Sequence, residues 1–404
     1  MASVGIIGGG AAGVMAAVSA AQNGAQVTIL EKNEKLMKKL FITGKGRCNV
    51  TNTAYYEDFL QNIMRGKKFF MSSFTVFDNY TVMDFFEKNN LKLKEERGGR
   101  VFPASDKSSD VIKTMENKIN SLNVKIKLNY NVKKIEKKEN IFTINNELNF
   151  DKIIICAGGA TYKSTGSDGS IYSTIKSLGH EVTDILPGLS AMTVGSLSLD
   201  ELQGVSLINV SLTAKLDKKV IFTEIGEMIF THFGVSGPLV LSMSSYLEKD
   251  KLREYEVYID LKPGLTEEKL YNRIARDFEK EPKRIMKNVL RRLLPEAMIK
   301  SVLERAGIPE EMVCNQVNAN QRRELVKTLK FFIIHIKSFY KLDLAIITRG
   351  GVNLKEINPK TMESKLVEGL YFAGEVLDID ALTGGYNLQV AFSTGHCAGE
   401  NSAI

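Results

Sequence analysis

Residues 4–31 read VGIIGGGAAGVMAAVSAAQNGAQVTILE, and this stretch decides the fold. A short apolar, β-branched run (VGIIG, 4–8) enters GGGAAG at 8–13, after which Val14, Ala17, Val18 and Ala21 recur at helical spacing. A second apolar run, 27–30, ends on Glu31. Strand, tight turn, helix and strand make a βαβ unit of about thirty residues, and Gly8, Gly10 and Gly13 form GxGxxG within it. Gly8 permits the turn, Gly10 lets a pyrophosphate approach the backbone, and Gly13 lets helix and strand pack closely. Glu31, eighteen residues beyond Gly13, is spaced to accept hydrogen bonds from an adenosine ribose and would repel a 2′-phosphate. FAD or NAD is favoured over NADP.

Outward from this unit, 404 residues predict two domains, one of them interrupted by the other. Hydrophobic content of 44% and charged content of 25% are those of a globular protein. The +7 net charge comes from scattered basic residues usually followed by acidic ones, which argues weakly against nucleic acid as the main partner. Cys48, Cys156, Cys314 and Cys397 form no CxxC pair and fit a reducing, cytoplasmic setting. The four histidines lack ligand spacing on one helix face, so no metal site is expected. Residues 1–30 carry no charge, but three successive glycines and Gln22-Asn23 argue against a membrane span, and no signal-peptide pattern is present.

Further along, TGKGRCNVTN (43–52) is a polar loop whose amides and Arg47 suit a phosphate or a flavin edge. KIIICAGG (152–159) predicts a strand whose end, at Ala157 and Gly158, brings bare backbone against a ligand, and a helix follows from Ser170 to Leu178. Residues 124–128 and 141–150 read as a small antiparallel ribbon packed on the main sheet. LYFAGEVLDID predicts a strand ending on Gly374-Glu375. The helix after Gly384-Gly385 has Leu388, Ala391, Phe392 and Gly395 on one face, and its N-terminal amides point toward an electron-rich group such as reduced flavin.

The sequence resembles the BaiN/YhiN-type FAD flavoproteins, some of whose members are described as aminoacetone oxidase family FAD-binding enzymes. The resemblance rests on GGGAAG (8–13), TGKGRCNVTN (43–52), GSDG (166–169), GEMIFTHFGVSGP (226–238) and the long block 350–395, and it spans nearly the whole chain. It implies a glutathione-reductase-like, Rossmann-type α/β FAD domain in two parts, 1–188 and 345–404, interrupted by an α+β insert at 189–344, barrel-like and helical. Gly8, Gly10, Ala11, Ala12, Gly13, Glu31 and Lys32 match the adenosine-diphosphate side, with Val132 beside it. Lys38, Lys39, Gly44, Gly46, Arg47, Cys48 and Asn49 match the loop next to the flavin, and Gly374, Glu375, Gly385, Asn387, Leu388 and Gln389 the ribityl and ring side. Gly385 to Gln389 are therefore expected to touch the isoalloxazine. Departures are Met37, where the family often has glycine, Cys156 in place of alanine, and LPGLSAMTV (186–194) in place of a more proline-rich entry to the insert.

Within the insert, SLINVSLTAKL and KKVIFTEIGEM alternate as strands, while 266–340 is expected to be helical, and the whole reads as a substrate-side cap. The stripe Ile285, Val289, Leu293 and Leu294 reads as core. THFGVSGP (231–238) carries His232, a candidate to give or take a proton opposite a flavin hydride; the alternative is that it only fixes its loop. Cys48 has no partner cysteine nearby, so a backbone role is favoured over a redox one. No second GxGxxG follows a strand. The expected activity is hydride exchange between flavin N5 and a small or medium organic substrate. The resemblance allows NADH- or NADPH-dependent reduction of an enone, as for steroid-like bile-acid intermediates, or oxidation of an amine such as aminoacetone by oxygen. A flavin-containing RNA-binding or RNA-modifying protein is the remoter reading. It is suggested by the basic KRIMKNVLRR (283–292), but Leu and Ile there leave little surface for base stacking.

Overall fold

Five short segments, four of them largely apolar and buried, assemble into one parallel sheet. They are β1 (Ser3–Ile7), β2 (Gln26–Leu30), β3 (Lys125–Lys127), β4 (Lys152–Ile155) and β5 (Leu370–Phe372), in the order β5-β4-β1-β2-β3. The computed structural model describes residues 1–195 and 199–404. β1 is central, pairing Ile7 with Leu30 on one side and with Ile155 on the other. It is buried almost throughout, as expected of a strand covered on both faces. β3 is the exposed edge, where two lysines discourage further pairing.

Helix α1 (Ala11–Gln22) is built largely of alanine and other small residues and is buried around most of its circumference. It packs against α2 (Tyr386–Ser402) with almost no side-chain spacer. A Cβ on Gly395 or Gly399 would stand 2.4 or 2.2 Å from the carbonyl oxygens of Ala12 and Ala16. The last helix of the chain is thereby locked onto the first.

The chain divides into two compact units, Met1–Gly188 with Lys341–Ile404, and Leu189–Tyr340. The first holds the parallel sheet. In it, 124–128 does not belong to an antiparallel ribbon: β3 joins the sheet in parallel to β2, and the ribbon consists of Ile135–Lys138, Ile141–Ile144 and Leu148–Phe150. Residues 341–344 lie with this unit, where Asp343 accepts from the amides of Tyr162 and Lys163.

The second unit contains a closed six-stranded barrel of Met192–Gly195, Gly234–Ser236, Lys219–Thr231, Ser206–Leu216, Glu256–Asp260 and Phe332–Phe339, in that spatial order. Helices Pro238–Tyr246, Glu267–Lys280, Met286–Leu290, Glu296–Arg305 and Ala319–Lys330 accompany it. Helix does not run on to 340. FIIHIKSF alternates buried and exposed residues at period two and closes the barrel against Met192–Gly195. Ile285 is partly buried, and Val289, Leu293 and Leu294 belong to this unit's core.

Candidate cofactor site

Parallel pairing brings every strand's carboxyl end to one edge. Gly8 follows β1, Glu31 follows β2, residues 129–132 follow β3, Cys156-Ala157-Gly158 follow β4, and Ala373-Gly374-Glu375 follow β5. Because β1 lies between β2 and β4, connections leave it in opposite directions, and a crevice opens where the strand order reverses.

At the nucleotide end, Gly8 has φ +100°, and a Cβ there would meet the Cys156 carbonyl oxygen at 2.6 Å. A Cβ on Gly13 would stand 1.9 Å from the Gly8 oxygen, whereas one on Gly10 would meet nothing within 4 Å. Gly8 and Gly13 are thus filled from within the protein, and Gly10 faces open space. Gly10 is also the N-cap of α1 and supplies no side-chain cap. The amides of Ala11 and Ala12, in the first turn, therefore lack partners inside the helix. Glu31 is buried; its Oε2 accepts from the Gly9 amide at 2.7 Å, and its Oε1 accepts from the Asn33 amide and side chain at 2.8 and 2.7 Å. One lone pair of Oε2 remains for a further donor. Tyr130 N–H donates to the Glu31 carbonyl, which brings the segment with buried Val132 alongside.

Lys32 pairs with Asp168 of the GSDG turn at 2.8 Å. Burial raises the Asp168 carboxyl, but Lys32 and two Ser170 donors outweigh that and hold it down to about 2. The adjacent Ser167 Oγ is buried without a partner, and a Cβ on Gly158 would lie 3.1 Å from it.

At the other end, the 43–49 loop takes left-handed φ at Gly44, Lys45, Gly46 and Cys48. Met37, where the resemblance gives glycine, also has φ +56°, the conformation glycine adopts without strain. Its amide donates to the Gly9 carbonyl, tying this segment to the fingerprint. Arg47 is taken up by the protein: Nε donates to Asp106 at 2.7 Å, Glu96 accepts from the same guanidinium, and the group lies 4.1 Å from the Phe102 ring centre. Lys38 reaches Glu34 at the surface. Lys39 Nζ pairs with Glu375 at 2.7 Å and donates to Thr161 at 2.8 Å. Burial pushes the Cys48 thiol up to about 12, so it stays protonated at neutral pH. Asn49 Oδ1 is buried without a partner.

Gly374, φ +79°, touches α1 so closely that a Cβ would stand 2.7 Å from that of Ala12, and its amide donates to Thr394. Gly385 caps α2 at φ +100° without a side-chain hydrogen bond. Asn387 clamps Ala381 through both its carbonyl and amide, and Leu388 is half-buried. Gln389 is fully buried and hydrogen-bonded to Thr51, Phe77 and Ser393. Its side chain is engaged inside the protein. The strand ends thus bring Gly8, Glu31, Ala157, Gly158, Gly374 and Glu375 to one edge, which Lys39 reaches through Glu375, while Arg47 and Gln389 are committed to protein partners. His232 belongs to the second unit, exposed in the two-residue turn between Lys219–Thr231 and Gly234–Ser236, with its ring edge-on to Phe233. Sequence reasoning missed Thr51, Thr161, Ser167 and Thr394, since threonine and serine carry no spacing signal of their own.

These residues fit an FAD: an uncapped helix start over an open Gly10, a carboxylate with a lone pair to spare, and the unpartnered Ser167 Oγ and Asn49 Oδ1. The model of the HI0933-like protein Rossmann domain matches residues 2–401. The chain belongs to this family. Among curated relatives, the 3-dehydro-bile acid delta(4,6)-reductase of Clostridium scindens is 32% identical, covering 99% of this chain and 98% of its own. The ribosomal RNA dihydrouridine synthase of Escherichia coli is 29% identical over 96% of this chain and 95% of its own. The 3-ketosteroid-delta4-(5alpha)-dehydrogenase of Rhodococcus jostii, 12% identical, covers 100% of this chain and 97% of its own at a TM-score of 0.50, a likeness of fold. This HI0933-like chain is an FAD-dependent oxidoreductase with a Rossmann-type FAD-binding domain.

Among the described residues no helix is long and apolar enough to cross a membrane, and no cluster of three or more His, Cys, Asp or Glu could hold a metal.

Proposed function

We propose that the protein reduces a carbon–carbon double bond conjugated to a carbonyl, with NADH or NADPH as electron donor. The observation that carries this reading is the chemistry shared by its relatives' names. A 3-oxo-Δ4,6 steroid and the uracil ring of uridine both present an alkene conjugated to a carbonyl, and both products are saturated there. When bound, FAD supplies the hydride for the β carbon.

The chain's own residues hold, orient and protonate. Gly10, Ala11 and Ala12 offer amides to a pyrophosphate, and Glu31 a carboxylate to a ribose. Lys39, held by Glu375 and Thr161, is the fixed cationic half of an ion pair on the proposed flavin side. Exposed His232 is the proposed donor of the proton that the α carbon takes up; Phe233 beside it is fixed by stacking on Tyr340 at 3.6 Å.

Anaerobic mixing with each nicotinamide should bleach the flavin, and an enone steroid should restore its colour. His232→Asn should slow recolouring, with a changed pH profile, and leave bleaching unaffected. Hydrogen peroxide release from aminoacetone and oxygen, with no bleaching by either nicotinamide, would replace this reading with amine oxidation.

The relatives' names also favour a second substrate, a uracil in ribosomal RNA. Against it, four of the five basic residues of segment 283–292 are engaged in ion pairs, Arg284 and Arg292 sharing Glu281, Lys287 on Glu311 and Arg291 on Glu296. Recolouring by ribosomal RNA fragments but not by steroids, with affinity falling steeply as salt rises, would select RNA.

A further inference from the structure

Gln389 lies in the first full turn of α2, is completely buried, and has no hydrogen-bonding capacity left for a ligand on its amide nitrogen. Its Oε1 accepts from Thr51 Oγ1 at 2.6 Å, and its Nε2 donates to the Phe77 carbonyl at 2.9 Å and to Ser393 Oγ at 3.0 Å. Thr51 touches α2 a second time, because a Cβ on Gly385 would stand 2.3 Å from the Thr51 carbonyl oxygen. Asn52 adds a third link, donating from Nδ2 to the Gly384 carbonyl at 3.0 Å. The strand after the 43–49 loop is therefore fastened to the start of α2 by three contacts across more than 330 residues of chain. With glycine as N-cap, the free amides of this 17-residue helix have no capping side chain, and these three contacts hold the helix start from the side of Thr51 and Asn52.

We propose that Gln389 and Thr51 together are the positioning pair that aims the first turn of α2 at the flavin ring and so sets the flavin's reduction potential. The inference rests on the FAD reading above, with the ring at the α2 end. A helix start directed at a group that gains negative charge stabilises its reduced form. A tilted or loosened helix start stabilises it less, so the potential falls. The buried carboxamide is suited to this task because a broken partner leaves a polar group stranded in the core, which holds the geometry to one arrangement.

The test is the midpoint potential of the FAD-loaded protein, read beside thermal stability. Gln389→Leu and Thr51→Val should each make the potential more negative, and the double variant should shift it no further than the larger single shift. Thr51→Ser, which keeps the hydroxyl, should retain the wild-type potential and stands in should Gln389→Leu not fold. Val390→Ala, one residue along the same helix and also buried, should lower stability without moving the potential. If Gln389→Leu and Thr51→Val lower stability but leave the potential unchanged, the pair is merely structural and the proposal is overturned. Thr383→Glu separates this from failure of the underlying reading. It places a carboxylate at an exposed position just before Gly384 and should also lower the potential. An unchanged potential there would mean that the ring does not lie at this helix end, and would remove the proposal with its premise.

Discussion

Oε2 of Glu31 accepts a hydrogen bond from the Gly9 amide at 2.7 Å, so the residue closing β2 also holds the turn that follows β1. Replacing it removes a charge-assisted contact within the protein and, on the reading above, another to the ribose. Glu31→Gln should weaken FAD binding roughly tenfold to a hundredfold, since such a bond is worth about 1.5–3 kcal/mol. Fluorescence titration of the apoprotein measures this, and an unchanged affinity would contradict a ribose role.

Gly10 and Gly13 should respond differently to the same added methyl group. The Gly13 position is 1.9 Å from a carbonyl oxygen, so Gly13→Ala should destabilise the apoprotein by roughly 3 kcal/mol or more. Gly10→Ala meets no atom within 4 Å and should change apoprotein stability by at most about 1 kcal/mol, while FAD affinity drops. Denaturant unfolding and FAD titration of both variants provide the comparison.

Lys39 and Glu375 should behave as one unit. Both are about a quarter exposed, and each single substitution, Lys39→Met or Glu375→Gln, leaves the other charge without its main partner. The double variant should be more stable than the sum of the singles implies, by about 1 kcal/mol. Simple additivity in chemical denaturation would show that the pair is not coupled.

Alkaline stability should reflect the buried thiols. Burial raises Cys48 and Cys397 to about 12, above the ordinary thiol value of about 8.5. Their stabilising contribution is therefore complete below about pH 8.5. Above it the unfolded chain releases protons that the native protein keeps, and stability should fall by roughly 1.4 kcal/mol per pH unit for each thiol until about pH 12. Thermal melts across that range should steepen as described, and Cys48→Ala should lessen the slope. At pH 8 all four cysteines, each buried, should resist a thiol reagent until the protein is unfolded.

The nucleotide end was legible because its requirements are local. Gly8, Gly10, Gly13 and Glu31 lie within one βαβ unit, and glycine there answers to φ and to clearance. The loop at 43–49 was recognisable as special from its glycines and Arg47. That Arg47 turns to Asp106 and Glu96 was not, because those acids come from a different strand and turn. The strand at 332–339 shows the same limit: its period-two pattern is present in FIIHIKSF, but it follows a helix directly and acquires its role only by pairing with residues near 193 and 258.

By itself the sequence determined the dinucleotide fingerprint and the strand ends that frame it, since short spacings and missing side chains encode these directly. Only the tertiary structure decided what the polar side chains do. Gln389, expected on the isoalloxazine, is hydrogen-bonded to Thr51 and Phe77, and Lys39 meets Glu375. A buried polar group takes whichever partner the fold brings within about 3 Å, and for these residues that partner lies hundreds of positions away, where no local pattern records it.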